Sequence, residues 1–393
     1  MGLNDTPNAS RVHIGIFGLR NAGKSSVINA ITNQEISVVS DVAGTTTDPV
    51  QKAMELLPIG PVLLIDTPGY DDEGYLGEKR VERTKRVLQK TDVALLVVDG
   101  TKGMSTMDEE LVQMFESQNI PYMIVYNKAD LMKNSSNLSP NEITISAVKK
   151  EGIWELKERI IKLMGANMNQ KHVLEGIITP HDIVVLVIPI DSAAPKGRLI
   201  LPEQLMIREV IDAGAVAIVA RDTQLEETLR RMLPNQPNLV ITDSQVFHMV
   251  QSIVPESIKL TSFSILMARY KGLLQVALDG VRTIDELQDG DTILISEGCT
   301  HHRQCEDIGT VKLPRWLNQY TKKKLQFEYS SGTGFVPDLT KYRLIIHCGG
   351  CMINEREMSN RIKQAKDVRV PITNYGITIA YMNGILERAT SIL

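Results

Sequence analysis

Between Arg11 and Met164, short β-branched runs alternate with segments whose apolar residues recur at helical spacing. Such alternation predicts a mostly parallel sheet with helices on both faces. Ligands of sheets of this kind bind beyond the carboxyl ends of the strands, so the loops after the runs are where chemistry is expected. The runs are VHIGIF, VLLIDTP, VALLVVDG and PYMIVYNKAD, and the helical segments include KSSVINAIT and LGEKRVERTKRVLQ.

Two further α/β patterns follow a polar stretch at 165–180, which we interpret as a linker. The first begins with DIVVLVIPI and continues through EQLMIREVIDAG, AVAIVA, TQLEETLRRML and NLVIT. The second contains a helical segment, Thr261–Gly272, and the strand-like DTILIS and YRLIIH. NYGITIAYMNGIL is expected to be a core helix. We therefore predict an α/β chain of three domains, at residues 1–170, 180–260 and 261–393.

Length, charge and composition narrow the functional class. A chain of 393 residues is too long for one ordinary core, and a net charge of −4 gives no overall basic field for nucleic acid. The longest apolar run, Ile183–Ile190, is too short to span a bilayer, and the amino terminus lacks the pattern of a leader peptide. We expect a cytoplasmic protein with neither membrane nor nucleic acid as a partner. The middle domain, which has no phosphate loop, is expected to form a homodimer.

A phosphate-binding loop, GLRNAGKS, lies directly after the first predicted strand and opens a helix. In this pattern glycines let backbone N–H groups face the phosphates, Lys24 reaches the β- and γ-phosphates, and the Ser25 hydroxyl holds Mg²⁺. The alternative is a glycine turn between a strand and a helix that has no role in binding. The expected nucleotide-binding residues of the loop are Gly18, Asn21, Ala22, Gly23, Lys24, Ser25 and Ser26.

Three further motifs follow in the order that a GTPase requires. In DTPG, Asp66 is placed to bind Mg²⁺ through water and Gly69 to offer an N–H to the γ-phosphate, so we group both with Lys24 as catalytic. In NKAD, an aspartate accepts hydrogen bonds from the guanine N1–H and 2-amino group, which adenine does not present. GTP is therefore expected rather than ATP. The third motif, SAV at residues 146–148 after the run EITI, resembles the last base-contacting loop of the GTPase family. The base-binding residues are therefore expected to be Asn127, Lys128, Asp130, Ser146 and Ala147.

Asn21 and the segment GTTTD resemble the translation- and tRNA-modification-type GTPases that potassium stimulates. The resemblance implies that Asn21 helps to hold K⁺ and that one of Thr45, Thr46 and Thr47 meets Mg²⁺. Thr47 replaces the arginine of that pattern, and Tyr70 stands where Ras-like enzymes have a catalytic glutamine. Slow turnover is therefore expected. The alternative for Asn21 is a turn residue with positive φ.

All four cysteines lie in the last hundred residues, after two predicted strands. Cys348 and Cys351 have the spacing by which two thiolates bind one metal or cluster, and Cys299 is the natural third ligand. His301, His302, His347 and Cys305 compete for the fourth position. A zinc site with three cysteines and one histidine, or an active dithiol, would also use such a spacing.

CTHH, DIGTVKLPRW, HCGGCMINEREM and VPITNYG together resemble the HydF family, the GTPases that mature FeFe-type hydrogenase. The resemblance implies a GTPase domain, a dimerisation domain and a domain that binds a 4Fe-4S cluster. It implies a scaffold that carries the di-iron precursor and works with the hydrogenase apoprotein and two radical-SAM maturases. The family's cluster pattern falls on Cys299, His301, His347, Cys348 and Cys351.

Cys305 lies outside that pattern, and we expect it to be a free thiol. With three thiolates, one iron would keep a weak ligand, for which His301, His347 and Glu306 are candidates. The rival function is a ribosome- or tRNA-associated GTPase with a structural zinc site, for which the acidic composition is unfavourable.

Overall fold

The computed structural model describes residues 8–32, 51–67, 75–132, 138–165, 172–190, 199–298, 307–332 and 335–393, with only the backbone of 75–81. These residues form two compact units, Met1–Asn169 and Gln170–Leu393. Three sheets with flanking helices make up the two units, which confirms the predicted α/β class.

The first unit is built around one six-stranded sheet. Its elements are β1 (Val12–Phe17), α1 (Lys24–Thr32), β2 (Gln51–Leu56), β3 (Gly60–Asp66), α2 (Tyr75–Leu88), β4 (Val93–Asp99), α3 (Thr106–Ser117), β5 (Tyr122–Asn127), β6 (Glu142–Thr144) and α4 (Ile153–Gly165). The strand order is β2-β3-β1-β4-β5-β6, and only β2 runs antiparallel to its neighbour.

Burial explains why the first unit adopts this sheet. β4 is buried over six of its seven residues, which is the pattern of a parallel strand covered by helices on both faces. Leu95 and Val97 join one apolar core, whereas Leu96 and Val98 join another with Phe17. Since β1, β3, β4 and β5 are parallel, their carboxyl ends meet along one edge.

The second unit begins with a four-stranded parallel sheet. Its elements are β7 (Ile183–Val187), α5 (Leu201–Asp212), β8 (Val216–Ala220), α6 (Leu225–Arg231), β9 (Leu239–Thr242), α7 (Phe247–Ile253), β10 (Lys259–Ser262), α8 (Phe263–Tyr270) and α9 (Leu274–Val281). The strand order is β10-β9-β7-β8. The helix expected from Thr261 starts two residues later, because the short strand β10 runs directly into α8 at the N-cap Ser262.

A second parallel sheet completes this unit. Its elements are β11 (Thr292–Ser296), a π-helical turn (Ile308–Lys312), α10 (Leu313–Thr321), β12 (Gln326–Ser330), β13 (Leu344–His347), α11 (Glu355–Asp367), β14 (Ile372–Asn374), α12 (Tyr375–Met382) and α13 (Leu386–Thr390). The strand order is β12-β11-β13-β14. As predicted for the final apolar segment, α12 is a core helix, with residues 375–380 all buried.

The two sheets of the second unit repeat one topology. In each, the first strand pairs with the second and third, and the fourth pairs with the third. The fourth strand and its helix also match in sequence, LTSFSILMARYKG at 260–272 against ITNYGITIAYMNG at 372–384. Ser262 and Asn374 hold equivalent N-cap positions. One continuous apolar core joins Val185 and Phe247 of the first half to Ile295 and Ile377 of the second.

Within the described part of the chain, we find no helix with the length and apolar character needed to span a membrane.

Candidate functional site

The phosphate loop lies between β1 and α1, at the carboxyl edge of the first sheet. Gly23 has a φ of +95°, and a Cβ there would lie 2.3 Å from Nδ2 of Asn127, so only glycine fits. Lys24, the first residue of α1, donates from Nζ to the carbonyl oxygens of Gly18 and Leu19 at 3.0 and 2.9 Å. The ammonium is thus held inside the loop that its predicted role requires.

Ser25 and Asp66 come together from different elements. Ser25 Oγ donates to Oδ2 of Asp66 at 2.9 Å, while Oδ1 of Asp66 is buried without a hydrogen-bond partner among the described residues. Burial raises the pKa of Asp66, opposed by the Ser25 hydroxyl and the charge of Lys24. A hydroxyl beside a buried carboxylate with a spare oxygen is a donor set that fits Mg²⁺. Ser26 lies exposed in the first turn of α1.

Asn127 ties two loops together at the end of β5. Its Nδ2 donates to the carbonyl oxygen of Ala22 at 3.1 Å, and its Oδ1 accepts from the N–H of Ala147 at 3.0 Å. Both ends of this buried amide are therefore used to hold the phosphate loop against the loop at Ser146. This geometry makes Asn127 a positioning residue for the two loops, three residues before Asp130, which the sequence predicts to read the base.

Asp130 is half-buried and accepts a hydrogen bond from Ser146 Oγ at 2.6 Å, which lowers its pKa and keeps it an acceptor. Lys128 has a left-handed backbone, with φ of 67°, and its Nζ pairs with Oδ2 of Asp99 at 2.5 Å. Burial alone would raise the pKa of Asp99, but hydrogen bonds from Lys128 and Thr101 outweigh it and lower the pKa. Asp99 belongs to no sequence motif, but it could have been predicted as a site residue from its position at the end of β4.

Asn21 is exposed and has a φ of 62°, the left-handed conformation that asparagine tolerates well. The remaining predicted nucleotide residues, Thr45, Thr46, Thr47 and Gly69, lie outside the described residues.

The second candidate site lies at the carboxyl ends of β11 and β13, which pair in parallel. Cys348 follows β13 directly, and its Sγ accepts from the N–H of Gly298 at 3.1 Å and of Gly350 at 3.4 Å. Gly298 immediately precedes Cys299 in the sequence, so Cys348 Sγ contacts the last described residue before that cysteine. Gly350 has a φ of +66°, and a Cβ there would lie 2.5 Å from Met358 Cε. The loop between Cys348 and Cys351 therefore depends on glycine.

Both described thiols are held in the protonated state. Burial raises the pKa of Cys348, with the N–H groups of Gly298 and Gly350 opposing the rise. Burial, followed by the charge of Cys348, raises the pKa of Cys351 to about 11. An active dithiol requires a lowered thiol pKa, so this environment disfavours the redox interpretation. A metal or cluster would displace the thiol protons on binding.

His347, the residue before Cys348, is fully buried, and both of its ring nitrogens are engaged. Its Nδ1 contacts the carbonyl oxygen of Cys348 at 2.8 Å, so this nitrogen carries the proton, and its Nε2 accepts from Nη1 of Arg361 at 2.9 Å. Burial and the Arg361 charge lower the pKa of His347 to about 3. In this arrangement the neutral ring offers no lone pair to a metal.

Arg361 itself joins three strand ends. Besides its bond to His347 at the end of β13, it donates from Nη2 to the carbonyl oxygen of Gly332 and to Glu357 Oε1, each at 2.7 Å, and Nη1 lies 3.4 Å from Ser296 Oγ. Arg361 is only 2% exposed, so the ion pair with Glu357 forms inside the core. Its spacing from the cysteines carries no motif, and sequence reasoning missed it.

Two more buried polar groups face the cysteine loops. Tyr375 donates to Oε1 of Glu297 at 3.3 Å, and burial, followed by the charges of Cys348 and Glu297, raises its pKa well above the usual range. Lys271, at the end of α8, donates from Nζ to the carbonyl oxygen of Ile353 at 2.9 Å. Of these three residues, only Glu297 could have been predicted from the sequence, because it lies two residues before Cys299.

Within the described ranges, no three His, Cys, Asp or Glu side chains converge as a metal site would require. Cys299, His301, His302, Cys305 and Glu306 fall outside those ranges. The structure thus brings Cys348 to the residue that precedes Cys299, and describes no geometry for these five candidates.

Three family profiles together match most of the chain. Residues 13–128 match the family described as 50S ribosome-binding GTPase. Residues 173–272 match the Hydrogen maturase F dimerization domain, and residues 275–392 match the Hydrogen maturase F tetramerization domain. The boundary between the last two matches falls between the helices α8 and α9 of the second unit.

Relatives of known function match over a smaller part. The tRNA modification GTPase MnmE of Prochlorococcus marinus is 34% identical over 180 residues, 44% of this chain and 38% of the relative. GTPase Der of Wolinella succinogenes is 36% identical over 170 residues, 39% of this chain and 36% of the relative. The chain thus spans little more than a third of the length of these relatives.

Solved structures similar to the chain include Aquifex aeolicus Era bound to GDP.AlF4−, with 22% identity, a TM-score of 0.34 and coverage of 53% of this chain and 92% of that one. A probable GTP-binding protein, engB, has 25% identity and a TM-score of 0.32, and covers 40% of this chain and all of its own.

Proposed function

The chain belongs to the hydrogen maturase F family and contains a GTP hydrolase domain, and from this premise we propose that it is a GTP-driven scaffold that binds a 4Fe-4S cluster and assembles or delivers the di-iron precursor of FeFe-type hydrogenase. The observation that carries the proposal is the contact between Cys348 Sγ and the N–H of Gly298. It joins the loop that contains Cys348 and Cys351 to the chain entering Cys299.

The donor set fits an iron-sulfur cluster. Backbone N–H groups directed at sulfur, buried thiols and a glycine-dependent loop are features of cluster-binding cysteines. Cys299, Cys348 and Cys351 would hold three irons, and the cluster would supply a redox centre with one exchangeable iron position. His301 is the stronger histidine candidate for that fourth position, because both ring nitrogens of His347 are engaged.

Iron and sulfide analysis of single Cys→Ser variants after anaerobic reconstitution tests the cluster assignment. Loss of Cys299, Cys348 or Cys351 should each make the cluster labile, because thiolates provide most of its binding. Cys305→Ser is the matched control and should retain full iron. Full iron loading in Cys348→Ser would contradict the assignment. Stoichiometric zinc in the native protein would instead favour the ribosome- or tRNA-associated GTPase with a structural zinc site.

For the GTPase reaction, each described residue has a distinct task. Lys24 would bind the β- and γ-phosphates, Asp130 would read the guanine edge, and Asn127 would keep the two loops in register. Mg²⁺, held by Ser25 and Asp66, would neutralise phosphate charge.

Lys24→Ala should remove turnover of GTP, and a wild-type protein that hydrolysed ATP as fast as GTP would contradict the base assignment. The remaining roles proposed are K⁺ binding by Asn21, Mg²⁺ contact by one of Thr45, Thr46 and Thr47, and a γ-phosphate contact by Gly69.

Self-association is supported by the two matched domain families, which are named for dimerisation and tetramerisation. Among the described strands β8 is an edge strand, and Val216 and Val219 on it are about half exposed. An apolar edge strand is a template for strand pairing, so we propose β8 as the dimer contact. The further partners proposed are the hydrogenase apoprotein and two radical-SAM maturases.

A further inference from the structure

Buried polar residues end all four strands of the sheet that carries the cysteine loops. The last residues of β12, β11, β13 and β14 lie in register across this sheet, and we call them the polar row: Ser330, Ser296, His347 and Asn374. All four are buried, and Ser330 Oγ donates to Ser296 Oγ at 2.9 Å. The row directly precedes Cys348 on β13 and lies three residues before Cys299 on β11.

The other sheet of this unit has the same register but lacks such a row. Its strands end at the equivalent residues Ala220, Val187, Thr242 and Ser262. The positions of the two serines are therefore apolar there, and a threonine stands in place of the histidine. Burying polar groups costs free energy unless they are hydrogen-bonded. Their presence in only the cysteine-bearing half indicates a role that is specific to that half.

Arg361 of α11 connects the polar row to its surroundings. Its Nη1 donates to Nε2 of His347 at 2.9 Å and lies 3.4 Å from Ser296 Oγ. Its Nη2 donates to the carbonyl oxygen of Gly332, two residues beyond β12, at 2.7 Å. The guanidinium carbon lies 5.2 Å from the ring centroid of Phe335. One side chain thus contacts the chain at the ends of three parallel strands.

We propose that Arg361 is a positioning residue for the cluster loop, residues 348–351, and that it acts through His347. The proposal rests on the proposed function. Because Arg361 occupies Nε2 of the ring, the ring proton lies on Nδ1 and is donated to the carbonyl oxygen of Cys348 at 2.8 Å. This bond orients the peptide group between Cys348 and Gly349. In metal sites, hydrogen-bonded partners of this kind orient the groups that bind the metal.

Glu357 stabilises the charge on Arg361 inside the core. Its Oε1 accepts from Nη2 of Arg361 at 2.7 Å, and the side chains of Arg361 and Glu357 are 2% and 9% exposed. Removing one partner of a buried ion pair is strongly destabilising, whereas replacing both by apolar residues is often tolerated. Substitutions at Glu357 therefore separate an effect on fold stability from an effect on the cluster loop.

Two pairs of variants test the role in the full-length protein, reconstituted anaerobically with ferrous iron and sulfide. Arg361→Met/Glu357→Leu removes the bond to His347 without leaving a buried charge, whereas Glu357→Gln weakens the ion pair and keeps Arg361. His347→Leu removes the bond to Cys348, whereas His347→Asn keeps a donor, because an asparagine Nδ2 occupies nearly the place of a histidine Nδ1. The measurements are the rate of iron release to a ferrous chelator, the EPR spectrum of the reduced cluster and the urea midpoint.

We expect Arg361→Met/Glu357→Leu and His347→Leu to release iron about tenfold faster than wild type, as is usual when an orienting partner of a metal site is lost, and to alter the EPR spectrum. Glu357→Gln should lower the urea midpoint but keep the wild-type release rate and spectrum. His347→Asn should stay near wild type in both the release rate and the spectrum.

A wild-type release rate and spectrum in Arg361→Met/Glu357→Leu would overturn the role of Arg361 and leave the cluster assignment intact. Equal effects of His347→Leu and His347→Asn would also overturn it, and this comparison holds even if the double variant does not fold. A wild-type protein that binds no cluster under these conditions would overturn both the role and the proposed function.

Discussion

Arg361 and His347 are joined by a 2.9 Å hydrogen bond in the core of the second unit, in which the guanidinium donates to Nε2 of the ring. This bond fixes the ring tautomer, and the protonated Nδ1 in turn holds the carbonyl group of Cys348. Arg361, a residue of α11, therefore fixes the conformation of the loop that begins at Cys348, 13 residues earlier in the chain.

Replacing Arg361 by Met should strongly destabilise the second unit. The change leaves the Glu357 carboxylate buried without its cation, which costs about 3–5 kcal/mol. Urea unfolding followed by the fluorescence of Trp316, in a Trp154→Phe background, measures the second unit alone. Arg361→Lys keeps the charge and should lose less, and a loss under about 1 kcal/mol in Arg361→Met would contradict the importance of the ion pair.

Asp99→Asn should weaken nucleotide binding with little effect on kcat. Asp99 holds the ammonium of Lys128, so its loss frees a side chain of the base-binding loop and should raise the Kd for GDP roughly fivefold, or about 1 kcal/mol. Calorimetric titration with GDP gives the affinity. Asp212→Asn, which breaks an exposed pair with Arg208 in the other unit, is the control and should leave the Kd unchanged.

Asn21→Gly tests potassium binding without disturbing the backbone, since glycine accepts the φ of 62°. Wild-type GTP hydrolysis should be faster in potassium than in sodium, and the variant should lose that difference because it lacks the amide oxygen. Steady-state rates in matched chloride salts decide the question. Equal wild-type rates in the two salts would remove the ion-binding role.

Glu203 should make the second unit less stable as the pH rises. Burial, with the nearby charge of Asp243, raises its pKa from 4.5 to about 7, although the N–H of Ile200 opposes the shift. The folded state therefore binds more protons than the unfolded state between these values, and stability falls as the pH increases through that window.

Glu203→Gln keeps an acceptor for the N–H of Ile200 but does not titrate. Its stability relative to wild type should therefore increase as the pH rises from about 5 to about 8, roughly the range in which Glu203 of the folded wild type loses its proton. Urea midpoints followed by Trp316 fluorescence provide the comparison. The exposed Glu226→Gln is the matched control and should show a constant difference from wild type. A pH-independent difference for Glu203→Gln would contradict the raised pKa.

Val219→Lys on β8 should weaken the dimer at least about tenfold, roughly 1.4 kcal/mol, because a charge would be buried in the proposed edge contact. Sedimentation velocity over a concentration series measures the change. Val368→Lys introduces the same charge at an exposed valine of the other half and should not alter association. A dimer unaffected by Val219→Lys would place the interface elsewhere.

Local patterns were sufficient for much of the fold. β1, β3, β4 and β5 and the helix after the phosphate loop follow from apolar periodicity and from glycine at defined positions. The short strands β10 and β14 were not predicted, since each has only three or four residues and runs directly into a buried helix. Their pairing with longer parallel neighbours stabilises them, and that pairing is not local information.

By itself the sequence determined the α/β class, the GTPase motifs, the family and the spacing of Cys348 and Cys351, because these depend on residue types at fixed separations along the chain. Only the tertiary structure decided that Asn127 ties the phosphate loop to the loop at Ser146, that His347 is engaged by Arg361, and that Lys271 of one repeat reaches the cysteine loop of the other. The physical reason is that burial and hydrogen bonding between residues far apart in sequence arise only when the sheets pack, and these interactions, rather than residue identity, assign each polar group its task.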